Sequence, residues 1–349
     1  MSNYRLKKIY FIVNANSRIG FGHLKRCLLL AKEFNSKGIE TVFLSDNISK
    51  HMINEVQEKH ELELFDTKKS LLETSFHFIN KEQSLLIIDT DDQEFYESNY
   101  QKSIYERGIR FMYITIKNNI SYYSHFLLNP NIIALATNYE TQSYTRLMLG
   151  PKYFILDDNF KEIKPNLRQE SKTKNILLTF GSADPNNLTY KLLSILERYE
   201  HFFNKLRVVA GGLNTNVDNI KKHKLLSKNN VEIYIDTKEM YKLMSDTDLA
   251  ITSMGLTFWE LTLHKVPCIA ISGSEREKPV LKYIGKENYC YNLGDYDDKD
   301  WEKKWQTGLD KYIDNMNQYR SGLDKLYDHI NINGKTDLIN QVITEYEKL

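Results

Sequence analysis

Residues 8–34 read KIYFIVNANSRIGFGHLKRCLLLAKEF. The opening KIYFIV is apolar and β-branched, and too short for a buried helix. The closing HLKRCLLLAKEF repeats apolar residues at helical spacing. Between them lie Gly20, Gly22 and His23. A short apolar run, a glycine-bearing turn and an amphipathic helix make the strand–turn–helix start of a βα unit.

The rhythm continues outward. The helix from His23 ends before Gly38, and TVFLSD, LELF, SLLIIDTD, IRFMYITI and HFLLNP follow as strands separated by amphipathic runs. Alternating short apolar runs and helices predict a parallel sheet covered on both faces. Near residues 150–175 the texture becomes polar and charged, with Pro151 and Pro165, as in a linker. The rhythm then restarts with NILLTFG, LRVVAGG, VEIYID, DLAITS and PCIAIS. The expected fold class is α/β, with two Rossmann-like domains facing a cleft. The expected domains are residues 1–165 and 170–325, with a C-terminal helix at 326–349 that packs back on the first domain.

At 349 residues the chain exceeds what one core usually serves. Lys plus Arg number 47 and Asp plus Glu 46, for a net charge of +1, which gives no electrostatic reason for a nucleic-acid partner. Three scattered cysteines, Cys27, Cys268 and Cys290, form no CxxC pair and suit a reduced, cytoplasmic protein. No run approaches the roughly 20 apolar residues of a membrane helix. No HExxH or HxH stands out, and DTDDQE at 89–94 reads as well as a helix cap as a metal cluster. The expectation is a monomer without metal or other cofactor.

Ligands of open parallel sheets bind beyond the carboxyl ends of the strands, so the residues after each strand carry the functional reading. Gly20 and Gly22 permit close backbone approach, and His23 opens a helix whose positive end suits an anion or a developing negative charge. A neutral imidazole there can take a proton from water or a hydroxyl. GFGHLK matches neither a dinucleotide fingerprint nor a P-loop. Further turns stand at TFGSADPNN, with Gly181, Ser182 and Asp184; at AGG, with Gly212; and at Ser253, Met254, Gly255, Leu256 and Thr257. Their amides and hydroxyls suit a diphosphate. Glu260, one turn further on, suits a ribose diol.

IGFGHLKRCLLLAKEF, LTFGSADPNNLT and DLAITSMGLTFWELTLHKVPCIAI together resemble the nucleotide-sugar hydrolases of pseudaminic acid biosynthesis and the related spore-coat polysaccharide proteins. LGPKYFILDDNF, VEIYIDTKEMYKLMSDTDLAIT and the NGK at 333–335 extend the likeness over residues 7–345. The resemblance implies a GT-B fold and release of UDP from UDP-2,4-diacetamido-2,4,6-trideoxy-L-altrose without metal. It implies that His23 activates water against the anomeric carbon. Gly20, Phe21, Gly22, Arg26, Asp89 and Asp92 would then lie by the substrate. Gly181, Ser182, Asp184, Gly212 and Ser253–Thr257 would lie by the diphosphate, Asp236 and Met240 by the base, and Glu260 by the ribose.

The sugar side departs from the family pattern. An Asp-x-Tyr element reads IDTDDQE here, paired aspartates are replaced by Thr115–Asn118, and an Asn-Gln pair by SGSEREKP. Three readings follow: a UDP-sugar hydrolase, a GT-B glycosyltransferase whose acceptor is a sugar or a lipid-linked group, and a non-catalytic nucleotide-sugar binder with no use for His23.

Overall fold

The computed structural model describes the chain apart from residues 1–3, 16–20, 68, 70–72, 74–75, 77–78 and 162–173, and apart from the side chains of His51, Trp301, Glu302, Trp305, Gln306, Ile313 and Met316. Two compact units result: Met1–Leu156 with Ile330–Leu349, and Asp157–His329.

In the first unit the strands are β1 (Lys8–Val13), β2 (Glu40–Ser45), β3 (Glu61–Leu64), β4 (Ser84–Asp89), β5 (Arg110–Ile114), β7 (Phe126–Asn129) and β9 (Arg146–Leu149). They form one sheet in the order β3-β2-β1-β4-β5-β7-β9, parallel throughout. β6 (Ser121–Tyr122) and β8 (Glu140–Thr141) pair separately. The near-continuous apolar run of β1 has a direct cause. Ile9, Phe11 and Val13 enter one core cluster, while Tyr10 and Ile12 enter another on the opposite face. A strand buried on both faces needs no polar alternation.

α1 (Gly22–Ser36) buries His23, Leu24, Cys27, Leu30, Ala31 and Phe34 along one stripe. It stops at Gly38, whose φ of 76° lies in the left-handed region that favours glycine. α2 (Lys50–Gln57) and α3 (Ser98–Glu106) complete the first winding. The order of the sheet reverses direction between β1 and β4, where Val13 pairs with Asp89. Their carboxyl ends form the switch point at which such sheets bind ligands.

The second unit holds β10 (Lys174–Thr179), β11 (Phe203–Ala210), β12 (Val231–Ile235), β13 (Leu249–Thr252), β14 (Cys268–Ser272) and β15 (Tyr291–Asp295). They form a parallel sheet in the order β12-β11-β10-β13-β14-β15. Its helices are α4 (Leu188–Leu196), α5 (Val217–Lys221), α6 (Met240–Ser245), α7 (Leu256–Leu263), α8 (Lys278–Lys286), α9 (Trp301–Asp314) and α10 (Met316–Tyr327). The switch point falls between β10 and β13, where Thr179 pairs with Thr252. Both units are therefore Rossmann-like.

The last helix, α11 (Gly334–Lys348), belongs to the first unit. Leu338, Ile339, Val342 and Ile343 join the core of α1 and β1, and Tyr346 donates its hydroxyl to the Ser84 carbonyl at 3.0 Å. Its start is tight: a Cβ on Gly334 would lie 2.6 Å from the Lys152 carbonyl oxygen and 3.1 Å from the Phe154 nitrogen. Gly334→Ala forces backbone to move and is expected to cost about 1–3 kcal/mol. A urea titration followed by amide exchange within the first unit measures it, and an unchanged midpoint would contradict the docking.

Candidate active site

The centre of the first site is a buried carboxylate. Asp89 ends β4 with 0 % of its surface exposed. Arg26 grips it through Nε and Nη2, and the Cys27 thiol lies 3.4 Å from Oδ2. His23 Nδ1 lies 2.6 Å from Oδ1. Burial alone would raise the Asp89 pKa, but the Arg26 charge, then His23, overcome it and hold the carboxyl well below its usual range. The same pairing raises Arg26 against the desolvation that opposes it. Burial pushes the Cys27 thiol well up, so it stays protonated.

An ionised carboxylate only accepts hydrogen bonds, so the 2.6 Å contact needs the proton on His23 Nδ1. That leaves Nε2 as the nitrogen for chemistry. The sequence explains the assembly. His23, Arg26 and Cys27 fall within one turn of α1, and Asp89 closes the adjacent strand across the switch point.

The loop after β4 is tied at each residue. Tyr96 donates its hydroxyl to the Thr90 carbonyl at 2.7 Å, Lys117 Nζ donates to the Asp91 carbonyl at 3.0 Å, and Asn14 Nδ2 donates to Asp92 Oδ2 at 3.0 Å. Lys117 also lies 3.8 Å from the centre of the Tyr96 ring. Asp91 Oδ2 then stands 3.3 Å from His23 Nε2.

Of the residues expected by the substrate, His23, Arg26 and Asp89 form one cluster, and Asp92 joins its loop. Asp89 has no exposed surface and Arg26 is committed to it, so both act on His23 from behind. Phe21 packs half-buried against the core of α1. A Cβ on Gly22 would meet nothing within 4 Å, so that turn leaves open space. Gly20 lies outside the described residues. Asp91 was not singled out by the sequence reading. Its only signal was the acidic run after β4, in which side-chain direction is not legible.

In the second unit the turns after β10, β13 and β14 are stitched together. Asp184 (φ 42°) accepts from the Leu188 and Thr189 amides at 2.8 and 2.9 Å, so its carboxylate caps α4. Gly212 packs against Asp236, since a Cβ there would lie 2.8 Å from Asp236 Cγ. Asp236 is exposed and Met240 half-buried at the start of α6. Gly181 (φ 76°) has open space where a Cβ would stand, and Ser182 accepts from the Leu213 amide at 3.0 Å. Ser253 and Met254 are buried, Gly255–Thr257 are half-buried at the start of α7, and Glu260 is buried within it.

Glu277 emerges only from the fold. Its Oε2 accepts from the Gly273 amide at 2.6 Å and the Met254 amide at 3.1 Å, joining two loops far apart in sequence. The Met254 amide is thus occupied just ahead of the Gly255–Thr257 amides that begin α7. Burial raises the Glu277 pKa above its usual value, more than the two amides lower it. Among the described residues no group of three or more His, Cys, Asp or Glu is placed to hold a metal ion.

No protein-family model matches the chain. In sequence it is 27% identical over 283 residues to an uncharacterised protein of Methanocaldococcus jannaschii, covering 78% of this chain and 57% of that one. It is 24% identical over 293 residues to the UDP-2,4-diacetamido-2,4,6-trideoxy-beta-L-altropyranose hydrolase of Campylobacter jejuni, covering 81% and 97%. In fold it matches MurG of Acinetobacter baumannii with a TM-score of 0.65 at 14% identity, over 98% of this chain and 100% of that one. It also matches HepE of Anabaena, solved with UDP and glucose, with a TM-score of 0.59 at 12% identity over 97% and 99%. No helix among the described residues is long and apolar enough to cross a membrane.

Three substitutions test the site as built. Asp89→Asn strands the Arg26 charge and is expected to cost about 3–5 kcal/mol. The depressed Asp89 pKa means that this stability is present above about pH 4, the unfolded value, and is lost progressively as pH falls below it. A pH series of urea midpoints for both chains checks the sign. Glu277 has the opposite sign, because a raised pKa makes ionisation above about pH 4 cost stability. Glu277→Gln keeps an acceptor for both amides and should be neutral or stabilising at pH 7. Glu277→Ala leaves them unpaired and should lose about 1–3 kcal/mol. With the site in place, the chain has the GT-B fold of two Rossmann-like units, and its sequence resembles the UDP-diacetamido-trideoxy-altropyranose hydrolase family.

Proposed function

We propose that this protein is a nucleotide-sugar enzyme, a hydrolase that releases UDP from a UDP-diacetamido-trideoxyhexose in nonulosonic acid or surface polysaccharide synthesis. The observation that carries the reading is the 2.6 Å contact of His23 Nδ1 with the buried, ionised Asp89. It fixes the proton on Nδ1 and leaves Nε2, 3.3 Å from Asp91, as the nitrogen for proton transfer. The substrate class comes from the similarity to the Campylobacter hydrolase, whose length the chain spans almost completely. The match spans little more than half of the Methanocaldococcus protein.

In this mechanism water gives one proton to Nε2 while its oxygen bonds to the anomeric carbon. The bond from that carbon to the diphosphate oxygen breaks, and its electron pair leaves with UDP. Asp89 stays ionised and stabilises the imidazolium. The turn at Gly181–Ser182 and the amides of Gly255–Thr257 receive the diphosphate charge. Asp236 and Met240 flank the base and Glu260 holds the ribose. The departures at Thr115–Asn118 and at 272–279 favour one other reading, a GT-B glycosyltransferase in which Nε2 deprotonates an acceptor hydroxyl.

UDP release is measured without acceptor or metal from UDP-2,4-diacetamido-2,4,6-trideoxy-β-L-altropyranose. The wild type should turn over, and His23→Ala should lose about 10²–10⁴-fold in kcat while UDP affinity holds. Glu260→Ala should weaken UDP binding first. Tight UDP binding with no release until an acceptor is supplied would make the protein a transferase. Neither release nor any effect of His23→Ala would leave a binding protein.

A further inference from the structure

We propose that Asp91 is a second functional residue at His23, and that the two together select water as the nucleophile. This rests on the hydrolase reading above and names the group that decides between water and an alcohol.

Nδ1 is committed to Asp89, so whatever attacks must reach Nε2. Asp91 Oδ2 already stands 3.3 Å from that nitrogen. The His23 side chain is 7% exposed and that of Asp91 48%, so of the two Asp91 is the one open to solvent. Asp91 is no loose surface acid. Its carbonyl is held by Lys117 at 3.0 Å, and its neighbours Thr90 and Asp92 are held by Tyr96 and Asn14. A loop held at three successive residues keeps the Asp91 carboxylate beside the ring nitrogen, which suits positioning more than charge balance.

With Nε2 unprotonated, neither group can donate to the other, so the pair presents two acceptors that a donor between them must satisfy. One oxygen at an ordinary hydrogen-bond distance of about 2.8 Å reaches both when they stand this close. Water has two O–H donors. One goes to Nε2 and is transferred as the oxygen attacks, and the other stays on Asp91 Oδ2 and aims the remaining lone pair at the anomeric carbon. An alcohol has one O–H. Placed at the same point it leaves one acceptor facing its oxygen lone pairs, and a polar group desolvated without a partner disfavours that complex by about 10–100-fold. Atoms balance as for hydrolysis: a C–O bond forms to water, the C–O bond to UDP breaks, one proton passes to His23 and then to solvent. Asp91 gains no proton overall.

The test is a partition experiment with the same altropyranose substrate in buffer containing methanol. Free sugar and methyl glycoside are counted for wild type, Asp91→Asn and Asp91→Ala. Wild type should give almost only free sugar. Asp91→Ala should lower kcat for hydrolysis about 10–100-fold with little change in KM. It should also raise the ratio of methyl glycoside to free sugar at least tenfold, with Asp91→Asn between the two. An unchanged ratio overturns the proposal even if kcat falls, since a merely structural role would slow both products alike. A wild type that releases no UDP would defeat the hydrolase reading instead, and the contact is then judged without substrate. In ¹⁵N-histidine-labelled protein, Asp91→Asn should move the His23 Nε2 resonance and leave Nδ1 in place. If Nε2 does not move, Asp91 has no hold on His23 and the proposal falls.

Discussion

The first unit depends on how it keeps a negative charge in its interior. Asp89 has no exposed surface, and an ionised carboxylate so placed costs several kcal/mol unless it is paired and fully bonded. Both oxygens are used: Oδ1 by His23 and Arg26, Oδ2 by Arg26 and the Cys27 thiol. All three partners come from one turn of α1, and the carboxylate from the end of β4. The interaction therefore sets how α1 is rotated over the sheet. It also fixes which histidine nitrogen is bonded to Asp89 and which meets Asp91.

The second unit solves a related problem by a different device. Its turns after β10, β13 and β14 meet at the sheet's switch point, where backbone amides crowd together. Asp184 takes up two amides of α4, and Glu277 takes up those of Met254 and Gly273. Asn186 ties the first turn to the third through the Gly273 carbonyl at 3.0 Å. The internal carboxylates hold the loops in shape. Gly211 serves the same end, since a Cβ there would lie 2.2 Å from Ser182 Cα. The AGG turn thus also lets two loops approach closely.

The same fold serves proteins as different as MurG and HepE, at identities too low to speak for more than architecture. Under the reading proposed above, hydrolysis and transfer part locally, at what stands beside Nε2 and how many hydrogen bonds it accepts. The loop after β4 is where this chain departs from the family's Asp-x-Tyr pattern, and it is also where Asp91 meets His23.

Much of this was readable in order of residues. The βα rhythm foretold the two parallel sheets, because a strand buried on both faces shows itself as a continuous apolar run and an amphipathic helix as a spaced one. His23 stands just past the carboxyl end of β1, where the sequence placed it, because the turn residues follow the strand directly. The partners of His23 were less legible. Asp89 was expected beside the substrate, but it lies beneath the histidine. Asp91 and Glu277 carried no signal beyond being acidic. The division of the chain after Leu156 was likewise a matter of contact. Local pattern reports which way a side chain faces relative to its own element. Which partner it finds depends on strand register, helix rotation and loops that approach from far along the chain, and those are decided only when the whole sheet closes.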